Sequence, residues 1–334
     1  MKSCITVLLS LVLSLMLMVG CVSNTEQLGL YNENVHSDTY IVEETQNGTE
    51  IETEIETDTG SDEIKIAVIT MDSIDQYWIE LFEGAKQAAN ELGIEVKFMA
   101  PMTCEGQIQI VKDAIAGGKY CAICIAANGP DEVSGALNEA KAAGIKIVYV
   151  DSPANVPAEA MFSTNNKAAG KTAGEQMLTA LQAAGTISGK IGIVNVNAAT
   201  DSCVQREDGF REAFQGAGFD ILETQYCDGD AARGQTIAEN YITQGVVGIF
   251  GANEGSAVGT GNAIKASGNA AIIGVGFDKS NTILSLIDDG WLLCTMAQNP
   301  YKMGYEGVTA AVAAVNGESL GGAVVDTGVI ILSK

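Results

Sequence analysis

Residues 64–100 read IKIAVITMDSIDQYWIELFEGAKQAANELGIEVKFMA. An apolar run from Ile64 to Met71 gives way to a polar loop; apolar residues then recur at three- and four-residue spacing from Trp78 to Leu92, and a second apolar run spans Glu95 to Ala100. The runs fit buried strands and the spacing between them fits a helix with one apolar face. The unit repeats, with strands expected at Tyr120–Ala127 and Lys146–Ser152 and helices at Glu105–Ala116 and Glu132–Ala143. After Met161–Thr164 the rhythm restarts, with strands expected at Lys190–Val196, Asp220–Tyr226, Val247–Asn253 and Ala271–Phe277. Strand–helix–strand repetition predicts parallel sheets covered by helices on both faces. The restart, over about 270 residues from Ile64 to Lys334, predicts an α/β protein of two doubly wound lobes. Ligands of such sheets bind beyond the carboxyl ends of the strands, which singles out Asp75, Asp151, Asn253 and Asp278.

The N-terminus carries a different message. Met1 and Lys2 precede an apolar stretch from Ile5 to Gly20, closed by Met18-Val19-Gly20-Cys21. Residues 1–20 read as a secretory signal peptide. The segment resembles a bacterial lipoprotein signal, in which the Cys after a small residue is diacylated, although Met18 stands where that family usually has Leu. A transmembrane anchor would need about 20 apolar residues and a charged stop. Two acyl chains suffice for stable attachment, so Cys21 is the expected lipidation site, and the chain is expected to be extracytoplasmic and lipid-anchored to the outer face of the cell membrane.

Residues 21–63 read as an acidic disordered tether. Twelve Asp or Glu fall between Val22 and Glu63 with no Lys or Arg, half of the formal net charge of −24. Like charges extend such a segment, and it has too little apolar surface to offset chain ordering. Ile51–Glu56 alternates as an edge strand would, but its polar face holds only carboxylates, which oppose pairing. The remaining domain is still acidic, which repels phosphate backbones and anionic headgroups and excludes nucleic acid as a partner.

The only histidine, His36, lies in the tether. The folded part therefore has no imidazole for Ser-His or Cys-His pairs or for His-liganded zinc, and no metal or cofactor is expected. Six thiols remain there, Cys104, Cys121, Cys124, Cys203, Cys227 and Cys294. An exported chain with six Cys could hold disulfides, but Cys121 and Cys124 fall within one expected strand, where residues three apart face opposite ways. Buried free thiols are the expectation. Gly170-Lys171-Thr172 lacks the earlier Gly of a phosphate-binding loop, whose place Asn165 takes. Asp72-Ser-Ile-Asp75 is one residue longer than a phosphatase D-x-D. Both read as ordinary strand-to-helix loops.

Across Ile64 to Lys334 the chain resembles the type I periplasmic sugar-binding proteins of the ribose-binding group, extracytoplasmic receptors of ABC importers. The resemblance rests on Asp75-Gln76-Tyr77-Trp78 followed by Phe82-Glu83-Gly84-Ala85, on Tyr149-Val150-Asp151, Thr164-Asn165-Asn166 and Gln205-Arg206-Glu207-Asp208-Gly209-Phe210, and on Ala252-Asn253-Glu254, Gly276-Phe277-Asp278 and Ala297-Gln298. It implies a three-strand hinge crossing near Thr164, Gln298 and Asp326. The first lobe would then comprise residues 64–164 with 299–326, and the second 165–298 with 327–334. It also implies ligand binding by Asp75, Tyr77, Trp78, Asp151, Arg206, Asn253, Asp278 and Gln298.

The chemistry of those residues suits a sugar. Aromatic rings such as Tyr77 and Trp78 can stack on the apolar face of a pyranose or furanose, or else pack into the core at a helix start. Carboxylates accept hydroxyl donors, a guanidinium donates as a planar fork, and Asn and Gln do both. Asp278 and Arg206 could otherwise form a structural ion pair at the lobe rim. The chain departs from the ribose group at Asp75 and Ala126, where that group has Asn, at Ser152, where it has Arg, and at Gly229, where it has an aromatic; Asn128 stands near Ala126 as a substitute. These departures argue against ribose itself.

The expected function is capture of a monosaccharide or related polyol, as a monomer, for an ABC permease, with the membrane met only through the lipid anchor. A sugar or autoinducer receptor serving a chemoreceptor or sensor kinase is the alternative. An enzyme using Asp75 and Asp151 as a carboxylate pair is disfavoured in a two-lobed cleft without His.

Overall fold

The computed structural model describes residues 43–45, 48–50, 64–101 and 103–334. The signal segment, Cys21 and most of the acidic stretch lie outside the described residues. Within that stretch β1 (Glu43–Thr45) pairs antiparallel with β2 (Gly48–Glu50). The pair is short, sets Glu43 opposite Glu50, and lacks the size for independent stability.

From residue 64 the chain alternates as expected through β3 (Lys65–Ile69), α1 (Gln76–Leu92), β4 (Glu95–Met99), α2 (Cys104–Gly117), β5 (Ala122–Ile125), α3 (Ser134–Ala142), β6 (Lys146–Val150) and β7 (Ala160–Ser163). It continues through α4 (Asn166–Ala183), β8 (Gly189–Asn195), α5 (Asp201–Ala213), β9 (Phe219–Ile221), β10 (Gln225–Tyr226), α6 (Ala231–Thr243), β11 (Val246–Gly251), α7 (Glu254–Ser267), β12 (Ile273–Phe277), α8 (Asn281–Asp288) and β13 (Cys294–Gln298). Helix α9 (Pro300–Val315) and strands β14 (Ala323–Asp326) and β15 (Val329–Ser333) complete it. One sheet has the order β14-β7-β6-β5-β3-β4 and is parallel throughout; the other runs β10-β8-β11-β12-β13-β15, with β9 also on β8 and only β15 antiparallel. Each is a doubly wound α/β layer. Helix α4 packs on the second sheet and α9 on the first, so the chain passes between sheets at 164–165, at 299 and at 327–328.

Two expected strands differ in detail. Asp220–Tyr226 divides into β9 and β10, because Arg211 of α5 donates to the Leu222 carbonyl (3.3 Å) and to Thr224 Oγ1 (2.8 Å), drawing this stretch out of the ladder. Between β14 and β15 stands Gly328, whose φ of 87° turns the chain from one sheet to the other. Cys121 precedes β5 rather than lying within it. All six thiols are unpaired, and burial pushes Cys124, Cys203 and Cys294 up to about 12, which leaves them inert.

Helix α1 shows how the pattern works. Its apolar face buries Tyr77, Trp78, Leu81, Phe82 and Ala85, each large side chain contributing about 1.5–3 kcal/mol. Gly93, at φ 66°, ends it by donating its N–H to the Ala89 carbonyl. Helices α1 and α9 cross so closely that a Cβ on Gly84 would lie 2.0 Å from the Tyr301 carbonyl oxygen. The same holds for α4 and α5: a Cβ on Gly170 would lie 2.0 Å from the Arg206 carbonyl oxygen, and one on Gly209 2.0 Å from that of Lys167.

Gly170→Ala should therefore force the crossing apart, lowering the unfolding free energy by about 1–3 kcal/mol. Gly135→Ala, on the exposed face of α3 with open space where its Cβ would stand, should raise it by about 0.5–1 kcal/mol. Urea midpoints at constant m-value distinguish the two; an unchanged midpoint for Gly170→Ala would contradict the close contact.

Candidate functional site

At the end of β6 the chain turns through Asp151, and at the end of β12 through Asp278, with φ of 64° and 71°. Left-handed backbone is rare outside glycine and costs about 1–3 kcal/mol. Both turns are held by the next strand: Asp151 N–H donates to the Phe162 carbonyl (2.8 Å) and Asp278 N–H to that of Met296 (2.9 Å). The two sheets thus present a carboxylate at equivalent places. Between them lies a cavity of about 550 Å³ that Asp75, Tyr77, Trp78, Asp151, Arg206, Asn253, Asp278 and Gln298 all border. The structure brings together all eight residues expected from sequence.

Arg206 enters from α5 and is 2% exposed. Its Nε donates to Asn166 Oδ1 (2.8 Å) and its Nη1 to the Ala252 carbonyl (3.0 Å), while Cζ sits 3.9 Å above the Phe277 ring. The carboxylate within ion-pair range is Asp151, with Oδ1 3.6 Å from Nη2. A rim ion pair between Arg206 and Asp278 is therefore not what forms: both side chains are buried, and Asp278 instead accepts from Gln298 Nε2 (2.6 Å) and the Glu254 amide (2.9 Å). Burial raises Asp278 to about 6, against the pull of Arg206 and Gln298. Burial also raises Asp151, opposed by Arg206, Tyr77 and Ser202.

The aromatic pair is partly structural. Tyr77 and Trp78 meet edge to face, with centroids 4.7 Å apart, and both lie in the core beside the cavity. Tyr77 Oη donates to Asp151 Oδ1 (2.8 Å) and Trp78 Nε1 to Asp72 Oδ2 (2.9 Å). Asn253 caps α7 by accepting from the Ser256 amide (3.0 Å), and its Nδ2 lies 3.4 Å from Asp75 Oδ2. Gln298 accepts from Thr164 Oγ1 (2.7 Å). Asp75 precedes α1 without capping it, and burial, then Asp72, Glu254 and Asp278, push its carboxyl up to about 9.

Several residues outside the eight expected ligands complete the site. Glu254 accepts from the Tyr77 amide (3.0 Å), Ser202 Oγ donates to Asp151 Oδ2 (3.2 Å) and Thr200 Oγ1 donates to the Asn128 carbonyl (2.8 Å). Each joins one sheet's elements to the other's. Asn128 Nδ2 is buried at the cavity with no acceptor. Of the departures from the ribose-group pattern, Asp75 and Gly229 border the cavity, as does the substitute Asn128, whereas Ala126 and Ser152 are fully buried and do not. Among the described residues no cluster of His, Cys, Asp and Glu could hold a metal ion.

Tyr77→Phe keeps the ring packing and deletes one donor to buried Asp151, so stability should fall by about 1–3 kcal/mol, the cost of an unsatisfied buried group. A urea midpoint equal to the parent's would contradict a structural role for this bond.

The chain is similar to the ribose import binding protein of Haemophilus influenzae, 28% identical over 266 residues that cover 78% of this chain and 87% of that protein. A solved carbohydrate transporter solute binding protein from Agrobacterium radiobacter, in complex with D-arabinose, matches with a TM-score of 0.77 and 29% identity over 81% of this chain and 95% of that one. An ABC transporter solute binding protein from Agrobacterium vitis with bound D-fucose gives 0.75 and 30%, again over 81% and 95%. These relatives are binding proteins rather than enzymes. A model described as a periplasmic binding protein domain matches residues 66–319, more than half of the chain, and by that match and the two-lobed fold the chain belongs to the periplasmic binding protein family.

Proposed function

We propose that this protein captures a monosaccharide or related polyol in the cavity between its two sheets and passes it to an ABC permease, working as a monomer outside the cytoplasm and held to the membrane by lipid on Cys21. The observation that carries the reading is the cavity itself. There Arg206, Asp151, Asp278, Asn253 and Gln298 present donors and acceptors beside the rings of Tyr77 and Trp78, the combination that a hydroxylated ring with one apolar face requires. Arabinose, fucose and ribose in the names of the relatives support the same class. The three passages of chain between the sheets, at 164–165, 299 and 327–328, act as a hinge. A ligand touching both lobes then favours the closed form by differential affinity.

A thermal-shift screen over pentoses, hexoses and polyols identifies the ligand, since binding to the folded state alone raises Tm. With that ligand, Arg206→Ala and Asp278→Ala should each abolish binding detectable by titration calorimetry. Each deletes a charge-assisted partner worth about 1.5–3 kcal/mol and strands polar groups in a closed cleft. Unchanged affinity in both variants would overturn the assignment.

The anchor has its own test. Cys21→Ala removes the acceptor thiol, so the protein should stay uncleaved or be released in soluble form. Continued partitioning into detergent as a processed lipoprotein would contradict the lipid assignment.

A further inference from the structure

Charge around the cavity is lopsided. Asp72, Asp75, Glu132, Asp151, Asp228 and Asp278 border it, against Arg206 as the one cation among the described lining residues. Most of these acids are matched within the protein. Asp72 accepts from the amides of Ile74 (2.8 Å) and Asp75 (3.0 Å) and from Trp78 Nε1 (2.9 Å). Asp151 has Tyr77, Ser202 and Arg206; Asp278 has Gln298 and the Glu254 amide; Asp228 has Arg233 at the exposed rim. Glu132 is exposed to water.

Asp75 is the exception. Its carboxylate receives one long bond, 3.4 Å from Asn253 Nδ2, and does not cap its own helix. The charged groups facing it are all acidic: Asp72 from its own loop, Glu254 from the start of α7 and Asp278 from the end of β12. Arg206 is bound to Asn166, the Ala252 carbonyl and Asp151, and Lys279, next in sequence to Asp278, reaches outward to Glu80 at 3.8 Å. Burial and these neighbours hold Asp75 protonated at neutral pH, with Glu254 itself pushed up to about 7. Nothing on the protein side supplies the positive charge that would let Asp75 ionise. Asn128, another lining residue, is also left incomplete, since its Nδ2 finds no acceptor within the protein. The cavity therefore asks for a cation at one place and oxygen acceptors at another.

We propose that the ligand carries a protonated amine on a hydroxylated frame of monosaccharide size, with its ammonium group against Asp75 and its oxygens against Arg206, Asp278 and Asn128. The inference rests on the sugar reading of the cavity and narrows it to amino sugars and amino polyols. An opposite charge within a few ångströms favours the ionised carboxyl. Asp75 then gives up its proton when the ammonium arrives: the carboxyl O–H bond breaks, the proton leaves to buffer, and a carboxylate–ammonium pair remains. A neutral sugar leaves the carboxyl protonated.

Titration calorimetry at pH 7, in two buffers of different ionisation enthalpy, reads both affinity and proton release. The probes are 2-amino-2-deoxyhexoses and amino polyols, their neutral parents and the N-acetylated hexosamines. An amine should bind about tenfold or more tightly than its parent and its acetylated form, releasing close to one proton, and Asp75→Asn should erase both the preference and the release. Equal or tighter binding of the neutral parents, without proton release, would overturn the cationic ligand and leave the sugar reading standing. Binding of simple diamines with no hydroxylated probe bound would instead overturn the sugar reading. Silence from every probe would overturn both.

Discussion

Burial of the Arg206 guanidinium is the constraint around which the rest is arranged. A charge withdrawn from water costs several kcal/mol unless its donors and its charge are both answered. Here the answers come from four directions: Asn166 at the start of α4, the Ala252 carbonyl after β11, the Phe277 ring at the end of β12, and Asp151 from the other sheet. Each condition fixes an element. Helices α4 and α5 must approach to within glycine distance, which Gly170 and Gly209 permit, and β6 must end in a left-handed turn to bring Asp151 inward. Among the described lining residues the acids outnumber the one cation, so the site's electrostatics favour a ligand with donors or positive charge over one that brings acceptors alone.

Closure of the cleft draws on the same groups. Ser202 and Arg206 reach Asp151, Glu254 takes the Tyr77 amide, and Thr164 meets Gln298 where two of the three passages run side by side. These bonds are short in space and long in sequence, Tyr77 and Glu254 being 177 residues apart. Each also uses a group that a ligand could contact, so recognition and closure share atoms, and a change at one is felt at the other.

The layer architecture was legible because it is written in period: apolar runs of strand length around helical spacing in residues 64–100, repeated and then restarted after Thr164. Residues just past strand ends were legible for the same reason, since topology alone sends Asp151 and Asp278 to the cleft. What periodicity does not carry is the identity of distant partners. Glu254 shapes the pocket through a bond across the chain to the Tyr77 amide, and Asp72 through a local one from Trp78 Nε1; spacing reveals neither bond. Asp220–Tyr226 looked continuous because the pull of Arg211 on Leu222 and Thr224 comes from another element. The ring roles of Tyr77 and Trp78 were ambiguous in sequence, and the structure has them both packing in the core and bordering the cavity.

The most direct test of this account is a crystal structure grown with the ligand that gives the largest thermal shift. The account requires that molecule to sit between the two sheets, within hydrogen-bonding distance of Arg206 and Asp278 and against the ring of Tyr77 or Trp78. Density for the ligand elsewhere on the molecule, with Arg206 and Asp278 still bonded only to protein groups, would contradict it.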